Sequence, residues 1–399
     1  MSDWHCVVYH RASRAQNSGK QRYSLLNKNK KSDVIFDLKK LSTISNRIKH
    51  FLRKTPLHAT IALPMTETRT VTPKAQPEEV DIEITLRPKT LAQFIGQAHI
   101  KEPLSISIEA AKRRAEPIEH VLLYGNPGLG KTTLASIIAR EMGGNLKMTA
   151  GPALERVGDL AAILSNLSAG DVLFIDEIHR INKTIEEVLY TAMEDFAIDI
   201  IVGKGPAART LRMPVEKFTL IGATTRLNLL SSPLRDRFGH VYHLNFYEPE
   251  DIETIVTRNA EILSIPIDKD AAALISTRAR RTPRVANRLL KRVRDFAEVR
   301  HNGGVSAAVA NDALTMLYID HYGLDSVDRK ILETIIDKFS GGPVGLNTLA
   351  AAVAEEMDTI ETIYEPYLLQ IGMLERTPRG RKTTTLAYSH LQKKQHALL

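Results

Sequence analysis

The sequence predicts an α/β fold in which a parallel sheet covered by helices is followed by a small all-α domain and a C-terminal winged helix. Short apolar segments alternate with helical segments from residue 121 to residue 232, as in a parallel sheet with helices on both faces. After residues 247–249 this strand pattern stops, and three or four helical segments follow. From residue 324, three more helical segments precede a two-stranded element, residues 373–376 with 384–388, which is typical of a winged helix.

A phosphate-binding loop follows the first predicted strand, residues 121–124. Residues 125–132 read GNPGLGKT and match the pattern G-x-x-x-x-G-K-[ST]. The glycines let successive backbone N–H groups converge on a phosphate, and the helix predicted over residues 131–141 points its positive end at the same anion. Lys131 is expected to reach the β- and γ-phosphates, and the Thr132 hydroxyl to bind Mg²⁺. The loop therefore predicts ATP or GTP as a ligand.

Two carboxylates follow a second buried strand, residues 172–176. Asp176 ends the run VLFID, and Glu177 comes next. Ligands bind at the carboxyl ends of the strands in such sheets, so Asp176 is expected beside the phosphate loop. Asp176 is predicted to hold hydrated Mg²⁺, and Glu177 to act as the general base that polarises the attacking water. The pair indicates that the nucleotide is hydrolysed as well as bound.

The basic character of the chain is confined to its N-terminal segment. The 399 residues carry a net charge of +8, and the pI is about 9.3. Residues 1–64 hold 13 Lys and Arg against 3 Asp and Glu, whereas the other residues hold 41 against 43. The near-neutral body therefore gives little support to a simple basic DNA-binding protein. The single cysteine, Cys6, excludes an internal disulfide, and there is no run of about 18 apolar residues that could span a membrane.

Three interpretations fit residues 1–64: a disordered basic tail, a transit-type presequence, or residues translated from upstream of the true start. The segment is rich in Arg and Lys, as transit peptides are, yet it is long and contains Asp33 and Asp37. Met65 opens a stretch whose composition matches the rest of the chain. These observations favour an upstream start, in which case the extension is not native.

Several motifs, taken in their order along residues 80–390, resemble the RuvB family of bacterial Holliday-junction branch-migration motors, of the AAA+ class. A phosphate loop alone occurs in many families, whereas the whole set in this order is specific. The resemblance implies an AAA+ P-loop sheet, a helical lid and a winged helix. Among the motifs are GNPGLGKTTLA (125–135), LFIDEIHR (173–180), GKGPAAR (203–209), SPLRDRFG (232–239), TPRVANRLL (282–290) and YEPYLLQIGMLERTPRGR (364–381).

The resemblance implies an ATP-dependent DNA helicase that acts in recombination and repair. It would form a homohexameric ring around duplex DNA and be loaded at four-way junctions by the partner RuvA. The RuvC resolvase is a further candidate partner, ATP and Mg²⁺ are the implied cofactors, and the bacterial cytoplasm is the expected compartment. The implied division of the chain is an N-terminal extension (1–64), a large ATPase domain (65–247) with a β-hairpin (199–213), a helical lid domain (248–321), a winged-helix DNA-binding domain (322–390) and a tail (391–399).

The resemblance also assigns roles around the nucleotide. A hydroxyl of Thr224 or Thr225 is expected to orient the attacking water, and we include Thr225 in the catalytic set. Arg237 resembles the arginine finger that reaches the γ-phosphate of a neighbouring subunit. Arg284 would contact the phosphates from the helical lid, so that nucleotide state moves that domain. The other implied nucleotide-binding residues are Leu86, Arg87, Gly128, Gly130, Lys131, Thr132, Thr133, Glu194, Asp195, Phe196 and Tyr247.

The wing is the expected DNA-binding element, with its tip predicted at residues 378–382. Arg376, Arg379 and Arg381 are expected to contact phosphates without reading bases. A solvated turn would have the same composition, so only the resemblance favours DNA. The sequence departs from the family pattern at Met357, where an arginine proposed to touch DNA is usual, so one phosphate contact is expected to be missing.

The hairpin at residues 199–213 resembles the element that docks on RuvA. Its apolar Ile200 and Ile201, with the preceding Ile198, would serve either strand packing or partner contact. Lys204 stands in this hairpin where the family pattern has an acidic residue, which is expected to alter docking.

Two alternative functions stay open on the residues alone. A clamp-loader or initiator ATPase shares the sheet, the arginine finger and the helical lid, but would lack the hairpin and the TPRGR wing together. An ATP-gated DNA-binding switch would bind nucleotide with little turnover. Glu177 argues against the switch, because a pure switch needs no general base.

Overall fold

The structure is a computed structural model, and several predictions lie outside the residues that it describes. They concern the hairpin turn with Lys204, the last residues of the predicted tail, and most of residues 1–64. Within the described part of the chain, no helix has both the length and the apolar character needed to cross a membrane. The described residues are 26–27, 30–31, 85–202 and 209–393.

The chain divides into two units, Met1–Thr68 and Arg69–Leu399. In the first unit, the two-residue strands Leu26–Asn27 and Lys30–Lys31 pair in an antiparallel manner. This pairing does not distinguish between the three interpretations of residues 1–64. All the predicted sites belong to the second unit.

A five-stranded parallel sheet forms the centre of the second unit, as the sequence predicts. Both faces are covered, because Leu122 and Leu173 enter one apolar cluster, whereas Leu123 and Phe174 enter another. The strands are β1 (Val121–Tyr124), β2 (Leu146–Ala150), β3 (Val172–Asp176), the hairpin strands β4 (Ala197–Val202) and β5 (Arg209–Pro214), then β6 (Thr219–Thr224) and β7 (His240–His243).

The strand order in the sheet is β2-β3-β6-β1-β7, and each neighbouring pair is parallel. The carboxyl ends of the strands therefore lie at one edge of the sheet. Tyr124, Asp176 and Thr224 are the last residues of the three central strands. The phosphate loop and the segments that carry Glu177 and Thr225 thus leave the sheet at the same edge, where ligands bind in such folds. The strands β4 and β5 pair only with each other, as expected for a hairpin outside the sheet.

Helices pack against the sheet, and α2 to α5 below have nearly the predicted bounds. The first helix was not predicted, because it lacks a start signal: Gln97 precedes it with a positive φ of 52° and no side-chain cap, and Pro103 lies inside it. Strand β7 was also missed, because the edge sequence HVYH has no apolar run. The helices are α1 (Ala98–Arg114), α2 (Lys131–Met142), α3 (Val157–Ser165), α4 (Lys183–Asp195) and α5 (Ser232–Arg235).

Four helices follow the sheet, and their core is continuous with it. Ile252 and Leu289 of this helical group belong to the same apolar cluster as Val121 of β1. The two parts therefore share one core. The third helix of this group begins beside the carboxyl edge of the sheet. The helices are α6 (Pro249–Ile262), α7 (Lys269–Arg278), α8 (Pro283–Arg300) and α9 (Ala307–Met316).

The C-terminal part is a winged helix with its own apolar cluster, centred on residues such as Ile331, Leu349 and Tyr364. A π-helical turn, Ile360–Tyr364, interrupts one of its helices. The elements are α10 (Ser326–Phe339), α11 (Leu346–Val353), α12 (Met357–Thr359), α13 (Glu365–Gln370), the wing strands β8 (Leu374–Thr377) and β9 (Gly380–Thr383), and α14 (Thr385–His390).

The predicted second wing strand, residues 384–388, is wrong. This stretch begins α14, and β9 lies directly before it. Gly380 has a φ of 134°, and a Cβ there would lie 2.3 Å from the carbonyl oxygen of Val344, so a tight turn starts the strand early. The backbone of Arg381 then exchanges two hydrogen bonds with Val344. This tertiary pairing outweighs the strand propensity of the Thr- and Tyr-containing segment that follows.

A buried ion pair joins the helical group to the winged helix. Arg280 follows α7, and its Nη2 donates to Oδ1 of Asp328 on α10 over 2.9 Å. Both side chains are almost fully buried, and the guanidinium also stacks 4.7 Å above the ring of Tyr367. Burial raises the pKa of Asp328, and the charge of Arg280 opposes that shift. Removing either partner would leave the other buried group without its ion-pair partner, so a substitution here is expected to weaken the contact between the helical group and the winged helix.

Candidate nucleotide-binding site

One cavity lies at the carboxyl edge of the sheet, between the phosphate loop and the helical group. The loop and the start of α2 form one wall, the ends of β3 and β6 form the floor, and the first turns of α8 form the opposite wall. Most of the residues that were predicted to bind the nucleotide meet there. The lining residues are Arg87, Pro127, Gly128, Gly130, Lys131, Thr132, Thr133, Asp176, Glu177, Thr225, Pro283, Arg284 and Asn287.

The shape of the phosphate loop requires its glycines. Gly125 has a φ of 141°, and a Cβ on it would lie 2.5 Å from the carbonyl oxygen of Leu244. Gly128 has a φ of 83°, and a Cβ would lie 3.0 Å from Cβ of Arg284. A side chain at either position would therefore meet backbone or the facing helix. The loop can pass close to the backbone of Leu244 at Gly125, and close to α8 at Gly128, only because these positions lack side chains.

Lys131 is buried at the bottom of the loop. Its Nζ donates hydrogen bonds to the carbonyl oxygens of Gly125, at 2.7 Å, and Asn126, at 2.9 Å. Burial lowers the pKa of Lys131 to about 8, although the nearby charges of Asp176 and Glu177 raise it. The ammonium is thus already desolvated and oriented into the loop. It is placed to exchange these carbonyl bonds for the stronger charge-assisted bonds of a phosphate.

This pKa predicts how nucleotide capture depends on pH. Below pH 8 the Lys131 ammonium is charged, and above it the neutral amine becomes the main form before ATP binds. We therefore expect kcat/KM for ATP to fall by up to about tenfold per pH unit above this value. At saturating ATP the phosphates should keep the ammonium charged, so kcat should change less. A pH profile of steady-state ATP hydrolysis tests this expectation. A kcat/KM that stays constant to about pH 9.5 would contradict the role of the Lys131 ammonium in nucleotide capture.

Glu177 faces the cavity in a strained backbone conformation. Its φ is 49°, in the left-handed region that non-glycine residues seldom adopt. The Thr225 hydroxyl donates to its Oε2 over 3.2 Å, and Nδ1 of His179 lies 3.3 Å from the same oxygen. Burial raises the pKa of Glu177, and the charge of Asp176 raises it further. A carboxylate with a raised pKa accepts a proton from water more readily, which suits a general base.

The two threonines at the end of β6 occupy different environments. The Thr224 side chain is fully buried, and its Oγ1 lies 2.8 Å from Nδ1 of His179 and accepts from the backbone N–H of Arg226. Thr225 lines the cavity and contacts Glu177. Of the two hydroxyls, that of Thr225 is the one that contacts Glu177, the predicted general base.

Two predicted nucleotide residues support the site from outside the cavity wall. Tyr247 is buried beneath the loop, and its hydroxyl donates to the carbonyl oxygen of Leu129 over 3.2 Å. Leu86 is also buried, and its carbonyl oxygen accepts from Nη2 of Arg258. In this structure both residues contact other parts of the protein and do not line the cavity.

Four other predicted residues lie away from the cavity of their own chain. Nη2 of Arg237 is 3.1 Å from Oε2 of Glu194, and its guanidinium stacks 4.5 Å from the ring centre of Tyr190. Asp195 pairs with Arg212 of the hairpin, and Phe196 packs edge-on against Phe218. The residues Glu194, Asp195, Phe196 and Arg237 therefore form no part of the cavity wall.

The predicted DNA-binding arginines differ in exposure. Arg379 is exposed in the turn between the wing strands. Arg381 is largely buried, and its guanidinium binds both carboxylate oxygens of Glu365 at 3.0 and 3.1 Å. Nε of Arg376 lies 2.9 Å from the same carboxylate, although this side chain is half exposed. The turn at the tip is thus shorter than predicted, because residues 380–382 belong to β9.

Sequence reasoning missed three residues at or near the site. Asn287 lines the cavity one turn after Arg284 on α8, and this spacing along one helix face was the available signal. His179 contacts Glu177, and the sequence shows only that it follows the catalytic pair. Arg226 does not line this cavity and forms ion pairs with the winged helix, which no local pattern reveals.

Three family models match consecutive parts of the chain. They are the Holliday junction DNA helicase RuvB P-loop domain at residues 86–244, the RuvB AAA lid domain at 247–320 and the RuvB C-terminal winged-helix domain at 321–392. A RuvB subunit of the Holliday-junction branch-migration complex from Dehalococcoides mccartyi is 58% identical over 323 residues, which is 81% of this chain and 93% of the relative. This chain belongs to the RuvB family. The predicted fold class and family are thereby confirmed.

Solved structures of RuvB agree with this membership. The RuvB Holliday-junction branch-migration motor of Thermotoga maritima is 51% identical and superposes with a TM-score of 0.72, over 78% of this chain and 99% of that one. A mutant of the same RuvB is 52% identical with a TM-score of 0.73, over 77% and 99%. The P-loop domain, the lid and the winged helix follow one another in this chain, and the phosphate loop found here lies in the P-loop domain.

Proposed function

We propose that this chain is the ATP-driven motor of Holliday-junction branch migration and works as a homohexameric ring on duplex DNA together with RuvA. The observation that carries this proposal is the cavity in which the phosphate loop, Glu177 with Thr225, and Arg284 meet, in a RuvB chain. The phosphate loop and Glu177 belong to the sheet, whereas Arg284 comes from the lid. A ligand held by both would set the angle between them, which is how hydrolysis becomes movement.

The residues of the cavity divide the work of hydrolysis. Lys131 neutralises the β- and γ-phosphates, and Glu177 accepts a proton from the attacking water, which Thr225 helps to orient. Arg284 and Arg87, which both line the cavity, contact the phosphates. These side chains are already oriented toward the site where negative charge develops in the transition state. Most of the rate acceleration is therefore expected to come from their electrostatic preorganisation.

Mg²⁺ fits the oxygen donors of this cavity. The Thr132 hydroxyl and the Asp176 carboxylate both line it, and hydroxyl, carboxylate and phosphate oxygens are the ligands that Mg²⁺ prefers. Thr132 and Asp176 would hold the ion, which supplies positive charge against the β- and γ-phosphates when it is bound. Among the described residues, no cluster of three or more His, Cys, Asp or Glu could hold a metal ion.

The subunit contacts follow from the residues that lie outside the cavity. Arg237, with Glu194, Asp195 and Phe196, would face the nucleotide of a neighbouring subunit in the ring. The hairpin formed by β4 and β5 would dock on RuvA, because it extends from the sheet and most of β5 is exposed. RuvC would join the same junction, and the assembly would work in the bacterial cytoplasm. The proposed domain limits are 65–247, 248–321 and 322–390.

Arg379 offers the clearest test of DNA binding by the wing. We expect Arg379→Ala to weaken binding to all duplex sequences alike and to reduce the slope of log K against log salt concentration by about one, because a phosphate contact carries no base information. Arg300→Ala, at the exposed end of α8, is the matched control and should leave the slope unchanged. Arg381→Ala is less informative, because it also removes a partner of the buried Glu365. Fluorescence anisotropy over a salt series measures both slopes, and a loss confined to particular sequences would contradict phosphate contact.

Branch migration of a synthetic four-way junction tests the function directly. The chain is assayed with ATP and Mg²⁺, with and without RuvA, and in parallel with a version that begins at Met65. The expected result is ATP-dependent conversion of the junction into duplex products, stimulated by RuvA. ATP hydrolysis without any junction movement in the presence of RuvA would reject the motor and favour a clamp-loader or initiator role.

A further inference from the structure

A chain of direct contacts runs from the catalytic carboxylate into the winged helix. Thr225 donates to Glu177, and the side chain of the next residue, Arg226, pairs with the winged helix. Nη2 of Arg226 lies 2.8 Å from Oε2 of Glu361 and 2.5 Å from Oδ1 of Asp358. The backbone N–H of Arg226 is also fixed by the Thr224 hydroxyl, at 2.9 Å. Thr225 thus lies between Glu177 and the residue that pairs with the winged helix.

The winged-helix end of this chain is an unusual helix. Asp358 and Glu361 lie on the stretch that passes from α12 into the π-helical turn Ile360–Tyr364. Such turns are rare and are often found at functional sites. Four residues after Glu361, the fully buried Glu365 binds the two wing arginines, Arg376 and Arg381. One short stretch thus holds Arg226 at one end and the wing at the other.

The same stretch also approaches the phosphate loop. Thr362 and Ile363 line a second cavity together with Asn126, Pro127 and Gly128. Thr362 and Glu361 also share a surface groove with Thr225 and Arg226. The π-helical turn therefore faces both parts of the catalytic apparatus, the loop and the Glu177–Thr225 pair, within one subunit.

We propose that Arg226 is a positioning residue that couples the winged helix to Glu177: its ion pairs with Asp358 and Glu361 make the placement of Thr225 depend on where the winged helix sits. The inference rests on the proposed motor function. Load on the wing would shift the π-helical turn, Arg226 would follow its two carboxylates, and Thr225 would change its hold on Glu177. DNA would then regulate hydrolysis in the subunit that grips it.

The test uses the full chain with two sets of substitutions on the two sides of the bridge. One variant is Arg226→Gln, and the other combines Asp358→Asn with Glu361→Gln. Asp337→Asn, which removes an exposed acidic charge elsewhere in the winged helix, is the matched control. ATP turnover is measured with and without duplex DNA and RuvA, together with ATP affinity and DNA affinity. A substitution that merely damages the structure would lower these affinities, whereas loss of coupling would leave them unchanged.

Both bridge variants should lose at least about fivefold of the stimulation by DNA and RuvA, with ATP and DNA affinities within about twofold of the parent chain. A variant that combines all three substitutions should lose no more stimulation than the more affected of the two bridge variants, because both sets break the same link. Stimulation retained within about twofold in Arg226→Gln, or losses that multiply in the triple variant, would overturn the coupling. Should Arg226→Gln fail to fold, Arg226→Lys and the carboxylate variant decide the same question. A parent chain that neither hydrolyses ATP nor moves junctions would refute the proposed function itself. If DNA and RuvA stimulate the parent chain and the bridge variants equally, only the coupling is refuted.

Discussion

Replacing Lys131 with alanine is expected to reduce ATP hydrolysis by about 10²-fold or more, because it removes a preorganised positive charge from the site where phosphate charge develops. The loss should be large because Lys131 is buried and already held by two loop carbonyls, so no solvent-exposed lysine can replace it. Lys112→Ala is the matched control, since that lysine is exposed and pairs with Glu141 on the surface. Steady-state phosphate release measures both variants, and parent-like turnover in Lys131→Ala would remove the nucleotide site from this cavity.

Nucleotide binding by the same variant can be followed without turnover. A ligand that binds only the folded chain raises its stability by about 2.7 kcal/mol when present at 100 times its Kd. ATP should therefore raise the thermal unfolding midpoint of the parent chain and of Lys112→Ala, but not that of Lys131→Ala at the same concentration. An unchanged ATP-induced shift in Lys131→Ala, combined with lost turnover, would assign the lysine to the chemical step alone.

The parts of the fold that the sequence predicted are those where a local pattern and a burial pattern agree. Strand β1, the loop and α2 were predictable because an apolar run, a glycine motif and a helical period follow one another. Helix α1 was missed because Gln97 provides no capping side chain and Pro103 lies inside the helix. The wing was predicted with the wrong second strand, because the contact of Arg381 with Val344 joins segments that are distant in sequence.

The same distinction separates the parts of the site. Lys131, Asp176 and Glu177 belong to motifs whose spacing is set by strand, loop and helix, so their meeting could be expected. The contact of Arg226 with Glu361 joins residues 135 positions apart, and neither belongs to a motif that requires the other. Which of Thr224 and Thr225 faces Glu177 was also open, since adjacent residues at a strand end point in different directions and only the packed structure decides between them.

Arg237→Ala is expected to lower ATP turnover by about 10³-fold, as the loss of an arginine finger does. Arg237 does not line the cavity of its own chain and instead pairs with Glu194 over 3.1 Å, so we expect it to act on the nucleotide of a neighbouring subunit. Arg235→Ala, two residues earlier at the end of α5, is the control and should hydrolyse ATP at nearly the parent rate. Loss of turnover alone would not separate action across the interface from action within one subunit.

Mixed rings make that separation. In an equal mixture of Arg237→Ala and Lys131→Ala subunits, about a quarter of the interfaces join an intact phosphate loop to an intact Arg237 of the next subunit. Turnover should then rise above that of either variant alone and be greatest near equal proportions, because complete sites need one subunit of each kind. If Arg237 served its own subunit, every site in the mixture would lack one of the two cations, and no proportion would restore hydrolysis. The dependence of activity on mixing ratio therefore decides whether the catalytic site is shared, provided that size-exclusion chromatography shows both variants in the same rings.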